Sequence, residues 1–118
     1  MNDDRYGRLN DMRNACYSAR GDITSTAPMP SAFRHIFVWW AGEHLWGSVP
    51  SLCGWQELPD DPAFDEKYKA ECQAYIARVK ATHIDWPAII RTFIASHPKA
   101  IKRNATLVKF LAELEKAK

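Results

Sequence analysis

Hydrophobic positions in this chain recur mainly at three- and four-residue steps, which predicts α-helices. The first such stripe lies within residues 1–20, where Asp3 and Asp4 suit the positive end of a helix dipole. Gly21 is expected to end this helix, and the segment 22–30, with its two prolines, is expected to be a loop. The apolar stripe consists of Tyr6, Leu9, Met12, Cys16 and Ala19.

The most unusual stretch is residues 31–55, which contain two of the five Phe and four of the five Trp. Ser31 suits the N-cap of a helix over 31–46, and Gly47 suits its end. Apolar side chains occupy nearly every face of this helix, which is typical of the buried centre of a domain. The alternative is a short buried strand over 36–40, because β-branched and aromatic residues also suit strands. We favour the helix, because no second convincing strand exists to pair with it.

The connection over residues 47–61 is too long and too apolar for a plain linker. Connections of about 15 residues without secondary structure are uncommon in compact domains. Its apolar residues include Leu52, Cys53, Trp55 and Leu58. We therefore expect a packed loop that folds back onto the domain and contains one short helical turn.

Three further helices follow. Asp61, which precedes a proline, predicts the N-cap of a helix that ends near residue 81. Asp85 predicts the N-cap of a helix over 86–96. Asn104 is the predicted N-cap of the last helix, which follows a break caused by a proline. The chain is thus predicted to be all-α, with four to five helices packed around the central aromatic-rich helix.

Length and composition agree with one compact domain over residues 1–118. Hydrophobic residues make up 47% and charged residues 25%, which is ordinary globular usage and argues against disorder. No apolar run approaches the roughly 18 residues needed to cross a bilayer, so no membrane contact is expected. The polar, acidic N-terminus lacks the features of a secretory signal, so the expected location is cytoplasmic.

The cysteines do not form a recognisable metal or disulfide pattern. Cys16, Cys53 and Cys72 are widely spaced, without a Cys-x-x-Cys pair. Three reduced thiols are the favoured interpretation, and a Cys53–Cys72 disulfide in a secreted form is the alternative. The four histidines do not pair with one another or with the cysteines at metal-ligand spacing. We therefore predict no metal site and no cofactor.

Candidate catalytic groups are few. His44 with Cys53 is the one Cys–His pair that merits attention, because a thiol nucleophile needs a histidine in contact with it. Glu43 and Glu57 offer a carboxylate pair, but both also suit a solvated rim. The five glycines are dispersed and form no phosphate-binding loop. The prediction is that the protein is not an enzyme.

The net charge of +2 is unevenly distributed. Residues 78–109 contain seven basic residues and one acid, whereas residues 60–71 are net acidic. A helix, a tight turn and a second helix near the C-terminus would allow nucleic-acid binding. The basic residues around that turn are Lys99, Lys102, Arg103 and Lys109. This is the alternative function.

The number of Trp residues indicates that the chain binds a protein partner. Five Trp are more than one compact core of this size needs, and exposed Trp residues are typical interface anchors. Trp46 and Trp55 flank the loop and are predicted to face the surface, near acidic Glu57, Asp60 and Asp61. The predicted function is a non-enzymatic protein–protein interaction module, such as a small inhibitor, immunity, anti-defence or assembly factor, that occludes a macromolecular partner. An exposed Trp patch would also allow a homodimer.

Overall fold

The computed structural model describes residues 3–52 and 54–117, except for the side chains of Asp3 and Trp55. Within these residues it contains five α-helices, one 3₁₀ turn and no strand. The helices are α1 (Asp3–Thr24), α2 (Ser31–Trp46), α3 (Pro62–Ala81), α4 (Trp86–Ser96) and α5 (Ile101–Lys116), and the 3₁₀ turn is Trp55–Glu57. The all-α prediction is confirmed, as is the helix that was favoured over a strand for the central segment.

The chain divides into two compact units. Unit 1 consists of Met1–Ile23 and Trp46–Thr82, and unit 2 consists of Thr24–Leu45 and His83–Lys118. The single domain over residues 1–118 stays a prediction.

The core of unit 1 is built from one face of α1 and one face of α3. On α1 the buried positions recur at helical spacing and include Leu9, Cys16 and Ala19 of the predicted stripe, and the buried positions of α3 recur in the same way. The thiol of Cys16 lies 3.7 Å from the carbonyl oxygen of Cys72, to which it donates a hydrogen bond. The buried residues of these two helices within unit 1 are Leu9, Cys16, Ala19, Arg20, Tyr68, Cys72, Tyr75 and Val79.

The core of unit 2 is an aromatic cluster centred on Phe37. Its ring meets that of Phe93 edge-on at a centroid distance of 5.3 Å, and it lies 6.0 Å from Trp86 and 6.2 Å from Trp40. Such aromatic pairs stabilise a fold by more than the burial of their surface area alone. The buried members of this core are Ala27, Met29, Phe37, Ala41, Ile90, Phe93, Leu107 and Leu111.

Two predicted helix caps are confirmed. The Asp61 carboxylate accepts a hydrogen bond from the backbone N–H of Ala63 at 3.0 Å. The Asp85 carboxylate accepts one from Ala88 at 3.2 Å. Each bond satisfies an N–H group that a helix N-terminus leaves without a partner.

Two predicted helix boundaries are wrong. Gly21 does not end α1, which continues to Thr24, because Gly21 keeps a negative φ. Asn104 does not begin α5, which starts at Ile101. Its side-chain amide instead donates to the carbonyl oxygen of His97 at 2.8 Å. Asn104 therefore closes the C-terminus of α4 rather than the N-terminus of α5.

The expectation that α2 is buried on nearly every side is also wrong. Phe37 and Ala41 are fully buried, but Ile36 is 50% exposed and Trp39 is 63% exposed. Ile36 and Trp39 are three residues apart and therefore share a face. The core contacts of α2 in unit 2 come from the opposite side, through Phe37.

Candidate functional site

The loop over residues 47–61 is held to α3 by tyrosine hydroxyls. Tyr75 donates to the carbonyl oxygen of Gly47 at 2.9 Å, and Tyr68 donates to that of Pro50 at 3.0 Å. Val49, between these two anchor points, is buried. The predicted packed loop is thus confirmed, and the 3₁₀ turn supplies the short helical turn expected within it.

The side chain of Tyr68 is itself buried. Burial raises the pKa of its hydroxyl above the ordinary value, with a further contribution from the Cys72 thiol. The hydroxyl therefore stays protonated and remains a hydrogen-bond donor to the loop through the neutral and moderately alkaline range.

Trp46 belongs to this anchorage, not to the surface. Its side chain is buried, and its indole N–H donates to the hydroxyl of Thr82 at 2.9 Å. The carbonyl oxygen of Trp46 accepts a hydrogen bond from the Arg78 guanidinium at 2.8 Å. The prediction that Trp46 faces the surface is wrong, because a polar partner for its N–H allows the whole ring to be buried.

The far end of the loop is held by α1. The Arg5 guanidinium donates to the carbonyl oxygen of Pro59 at 2.6 Å and to the Asp65 carboxylate at 2.6 Å and 2.9 Å. The hydrogen bonds from Arg5 lower the pKa of Asp65, against the opposing effect of burial. One arginine thus connects α1, the loop and the first turn of α3.

The predicted acidic residues lie on both sides of Pro59 in the chain, with Glu57 before it and Asp60 and Asp61 after it. Glu57 and Asp60 are exposed. Asp61 is exposed as well, but its carboxylate already caps α3. Trp55 begins the 3₁₀ turn, and its side chain lies outside those that the structure describes. The segment 55–61 therefore presents Glu57 and Asp60 from a backbone that is fixed on both sides.

The predicted basic residues lie around the α4–α5 turn. Lys99, Lys102 and Lys109 are exposed, whereas the Arg103 guanidinium lies over the Phe93 ring, 4.3 Å from its centroid. Arg103 is therefore part of the unit 2 packing. The two neutral side chains suited to reading bases are also engaged: Asn104 caps α4, and the Thr106 hydroxyl donates to its own helix backbone at 3.1 Å.

The candidate chemical groups are dispersed. Among the described residues, no group of three or more His, Cys, Asp or Glu side chains is placed to hold a metal ion. The His44 ring stacks on Trp40 at 4.7 Å. Cys53 lies outside the described residues, and so do the His44–Cys53 pair and the alternative Cys53–Cys72 disulfide. Glu43 and Glu57 belong to different units.

Cys16 and Cys72 are buried free thiols. Burial, with a further contribution from the neighbouring Cys72, raises the pKa of Cys16 to about 12. A thiol with so high a pKa is a poor nucleophile at neutral pH.

Exposed aliphatic residues on α5 were not predicted from the sequence. Ile101 is 75% exposed and Val108 is 57% exposed. Ile101 is the first residue of α5 and precedes the predicted N-cap, Asn104, by three residues. The available signal was a second apolar row at 101, 105, 108 and 112, beside the core row at 107 and 111.

No helix within residues 3–52 and 54–117 is long and apolar enough to cross a membrane. Comparisons of the chain with protein-family models, with curated proteins and with solved structures gave no match.

Proposed function

We propose that this protein is a non-enzymatic interaction module that binds a protein partner through the 47–61 loop and occludes the partner's surface. The observation that carries the proposal is the two-sided anchorage of this loop. Tyr68 and Tyr75 hold its first part, and Arg5 holds Pro59 near its end. Small inhibitors, immunity proteins, anti-defence proteins and assembly factors act in this way.

The anchorage of the loop favours binding because it reduces the conformational entropy that the loop loses on association. Ordering a flexible side chain or loop residue at an interface costs roughly 0.5–1.5 kcal/mol. A loop that is already held by hydrogen bonds from α1 and α3 avoids much of that cost. The partner then meets a surface whose shape is formed before contact.

The exposed carboxylates define the chemistry of the partner. Glu57 and Asp60 are exposed, and Asp61 adds a third negative charge beside them. A partner surface rich in Lys or Arg would match these charges and accelerate association. Trp55, in the same segment, is the residue type that most often anchors an interface.

Nucleic-acid binding is the alternative function, and the exposed Lys99, Lys102 and Lys109 favour it. It has less support, because Asn104 and Thr106 are engaged within unit 2 and Arg103 lies over Phe93. Titration with duplex DNA between about 50 and 200 mM salt separates the two functions, since phosphate binding weakens steeply over that range.

The first prediction concerns the double variant Trp55→Ala/Glu57→Ala. Affinity purification from cells that naturally produce the protein, followed by mass spectrometry, identifies the partner. Isothermal titration calorimetry should then show binding at least about 30-fold weaker for the variant, because an interface Trp contributes about 2 kcal/mol or more.

The matched control is Asp11→Lys/Glu113→Lys, which reverses two exposed carboxylates on α1 and α5, outside the 47–61 segment of the chain. Its affinity should equal that of the wild type, and circular dichroism should show unchanged helix content in both variants. A Trp55/Glu57 variant that folds and binds like the wild type would show that the loop is not the binding site.

A further inference from the structure

Helix α5 has a second apolar row in addition to its core row. The core row contains Leu107 and Leu111, both of which are buried. The second row follows steps of four, three and four residues, which keeps its members on one face of the helix. All of its members are exposed: Ile101, Ala105, Val108 and Ala112. The row spans roughly 16 Å at 1.5 Å per residue, or about three helical turns.

This row borders a groove between α4 and α5. The groove has a volume of about 390 Å³, and its apolar lining includes Ile94 from α4 and Val108 from α5. Arg91 on α4 and Glu115 on α5, which also line it, form an ion pair that joins the two helices. The exposed face of α5 therefore continues into a concave apolar surface.

A row of lysines runs along the other side of the apolar row. Lys102, Lys109 and Lys116 are spaced by seven residues and are all exposed. At 100° per residue they lie about 60–100° around the helix from Ile101. Lys116 lies 3.8 Å from Glu113 in an exposed ion pair, a contact that is worth little in water. The face thus combines a groove, an apolar row and a cationic row.

We propose that this α4–α5 face binds an acidic amphipathic helix of a protein partner. The apolar side chains of that helix, at spacings of three, four and seven residues, would lie along Val108 and in the groove. Its Asp and Glu side chains would meet Lys102 and Lys109. The proposal concerns unit 2 and is independent of the function proposed for the 47–61 loop.

Other anionic partners match this face less well. Nucleic acid would use the lysines but has no complement for exposed Ile101 and Val108. An anionic membrane surface would use both rows, but helices that lie in membranes usually carry Trp, Phe or Leu on the apolar face. The exposed row of α5 has only Ile, Val and Ala. An acidic amphipathic helix therefore matches the lysine row and the composition of the apolar row best.

The second prediction uses a display library of helical 18-residue peptides. Leu is fixed at positions spaced by three, four and seven residues, and the flanking positions vary among Glu, Lys, Gln and Ala. Selection on the wild-type protein, with counter-selection on Val108→Asp, should enrich peptides with more Glu than Lys. Fluorescence anisotropy should show binding at least tenfold weaker for Val108→Asp and for Lys102→Gln/Lys109→Gln/Lys116→Gln.

Matched controls separate this face from general effects of charge or polarity. Ile36→Asp changes an exposed aliphatic residue on α2, and Lys67→Gln/Lys69→Gln/Lys80→Gln removes three exposed lysines from α3. Both should bind the enriched peptides like the wild type. Circular dichroism and thermal unfolding should show that every variant is folded.

Several outcomes would overturn the proposal. They are the absence of peptides that prefer the wild type to Val108→Asp, enrichment without an excess of Glu, and unchanged binding by the lysine variant. Duplex DNA or anionic phospholipid vesicles that bind with the same dependence on Val108 would assign the face to those partners. A dimer in light scattering that Val108→Asp converts to a monomer would assign it to a second copy of the chain.

Discussion

Phe37 and Trp39 lie two residues apart on α2 but have different roles. Each residue along a helix is rotated by about 100° from the one before it. Phe37 is fully buried and contacts three other aromatic rings. Trp39, two residues later, has most of its surface in water. Hydrophobicity alone does not separate the two residues, whereas their positions on the helix do.

The third prediction compares Phe37→Ala with Trp39→Ala. Phe37→Ala should lower the free energy of unfolding by about 3–5 kcal/mol, because it leaves a cavity in the unit 2 core. Trp39→Ala should cost clearly less, because the exposed part of its ring gains little from folding. Urea denaturation followed by circular dichroism measures both. Equal costs would mean that Trp39 is as tightly packed as Phe37.

Glycine position matters at the end of α2. Gly47 has a φ of 73°, a left-handed conformation that residues with a Cβ adopt at a cost. A methyl group at Gly47 would meet no atom within 4 Å, so the cost arises from the backbone and not from crowding. This conformation ends α2 and starts the loop whose carbonyl groups Tyr75 and Tyr68 then hold.

The fourth prediction compares Gly47→Ala with Gly54→Ala. Gly47→Ala should lower the free energy of unfolding by about 1 kcal/mol through backbone strain. Gly54 has a φ of −59° and equally open space, so Gly54→Ala should be neutral or stabilise by up to about 1 kcal/mol. The midpoint temperatures of thermal unfolding should shift in opposite directions, or Gly47→Ala should be the less stable variant by about 1 kcal/mol. A similar loss in both would contradict the backbone explanation.

The two units of the molecule differ in net charge. Unit 1 has eight basic and ten acidic residues, whereas unit 2 has eight basic and four acidic residues. The acidic loop and the lysine row of α5 thus belong to units of opposite net charge. The net charges of the two units thus agree with the basic partner proposed for the loop and the acidic partner proposed for the α4–α5 face.

The fifth prediction concerns alkaline pH and the stability of the protein. Burial and, to a smaller extent, the neighbouring Cys72 raise the pKa of Cys16 from 9.0 to about 12, and the pKa of Tyr68 is raised in the same direction. In the unfolded chain the Cys16 thiol ionises above its ordinary pKa, but in the folded protein it stays neutral. The free energy of unfolding should therefore fall as pH rises from about 9 to about 12, by up to roughly 1.4 kcal/mol per pH unit for this group.

Urea denaturation at several pH values, for the wild type and for Cys16→Ala, measures this effect. The cavity left by the substitution lowers stability at every pH, so only the difference in slope is informative. The slope above pH 9 should be smaller for Cys16→Ala. Identical slopes would mean that Cys16 titrates at similar pH in the folded and unfolded states.

The sequence by itself determined the helices and most of their ends. The caps at Asp61 and Asp85, the end of α2 at Gly47 and the helical turn within the loop depend on atoms a few residues apart. Short-range sequence signals gave wrong helix boundaries at Gly21 and Asn104. Each of these residues can serve either inside or at the end of a helix, and the sequence does not say which.

Only the tertiary structure decided which faces are covered. Trp46 is buried because Thr82, on another segment, accepts its indole N–H, and Trp39 is exposed because the core contacts of α2 reach its opposite side. The carbonyl groups of the loop likewise accept hydrogen bonds from Arg5, Tyr68 and Tyr75, which are distant from the loop in sequence. Periodicity shows that a helix has apolar faces, but burial depends on which segments pack against it, and that is a property of the folded chain.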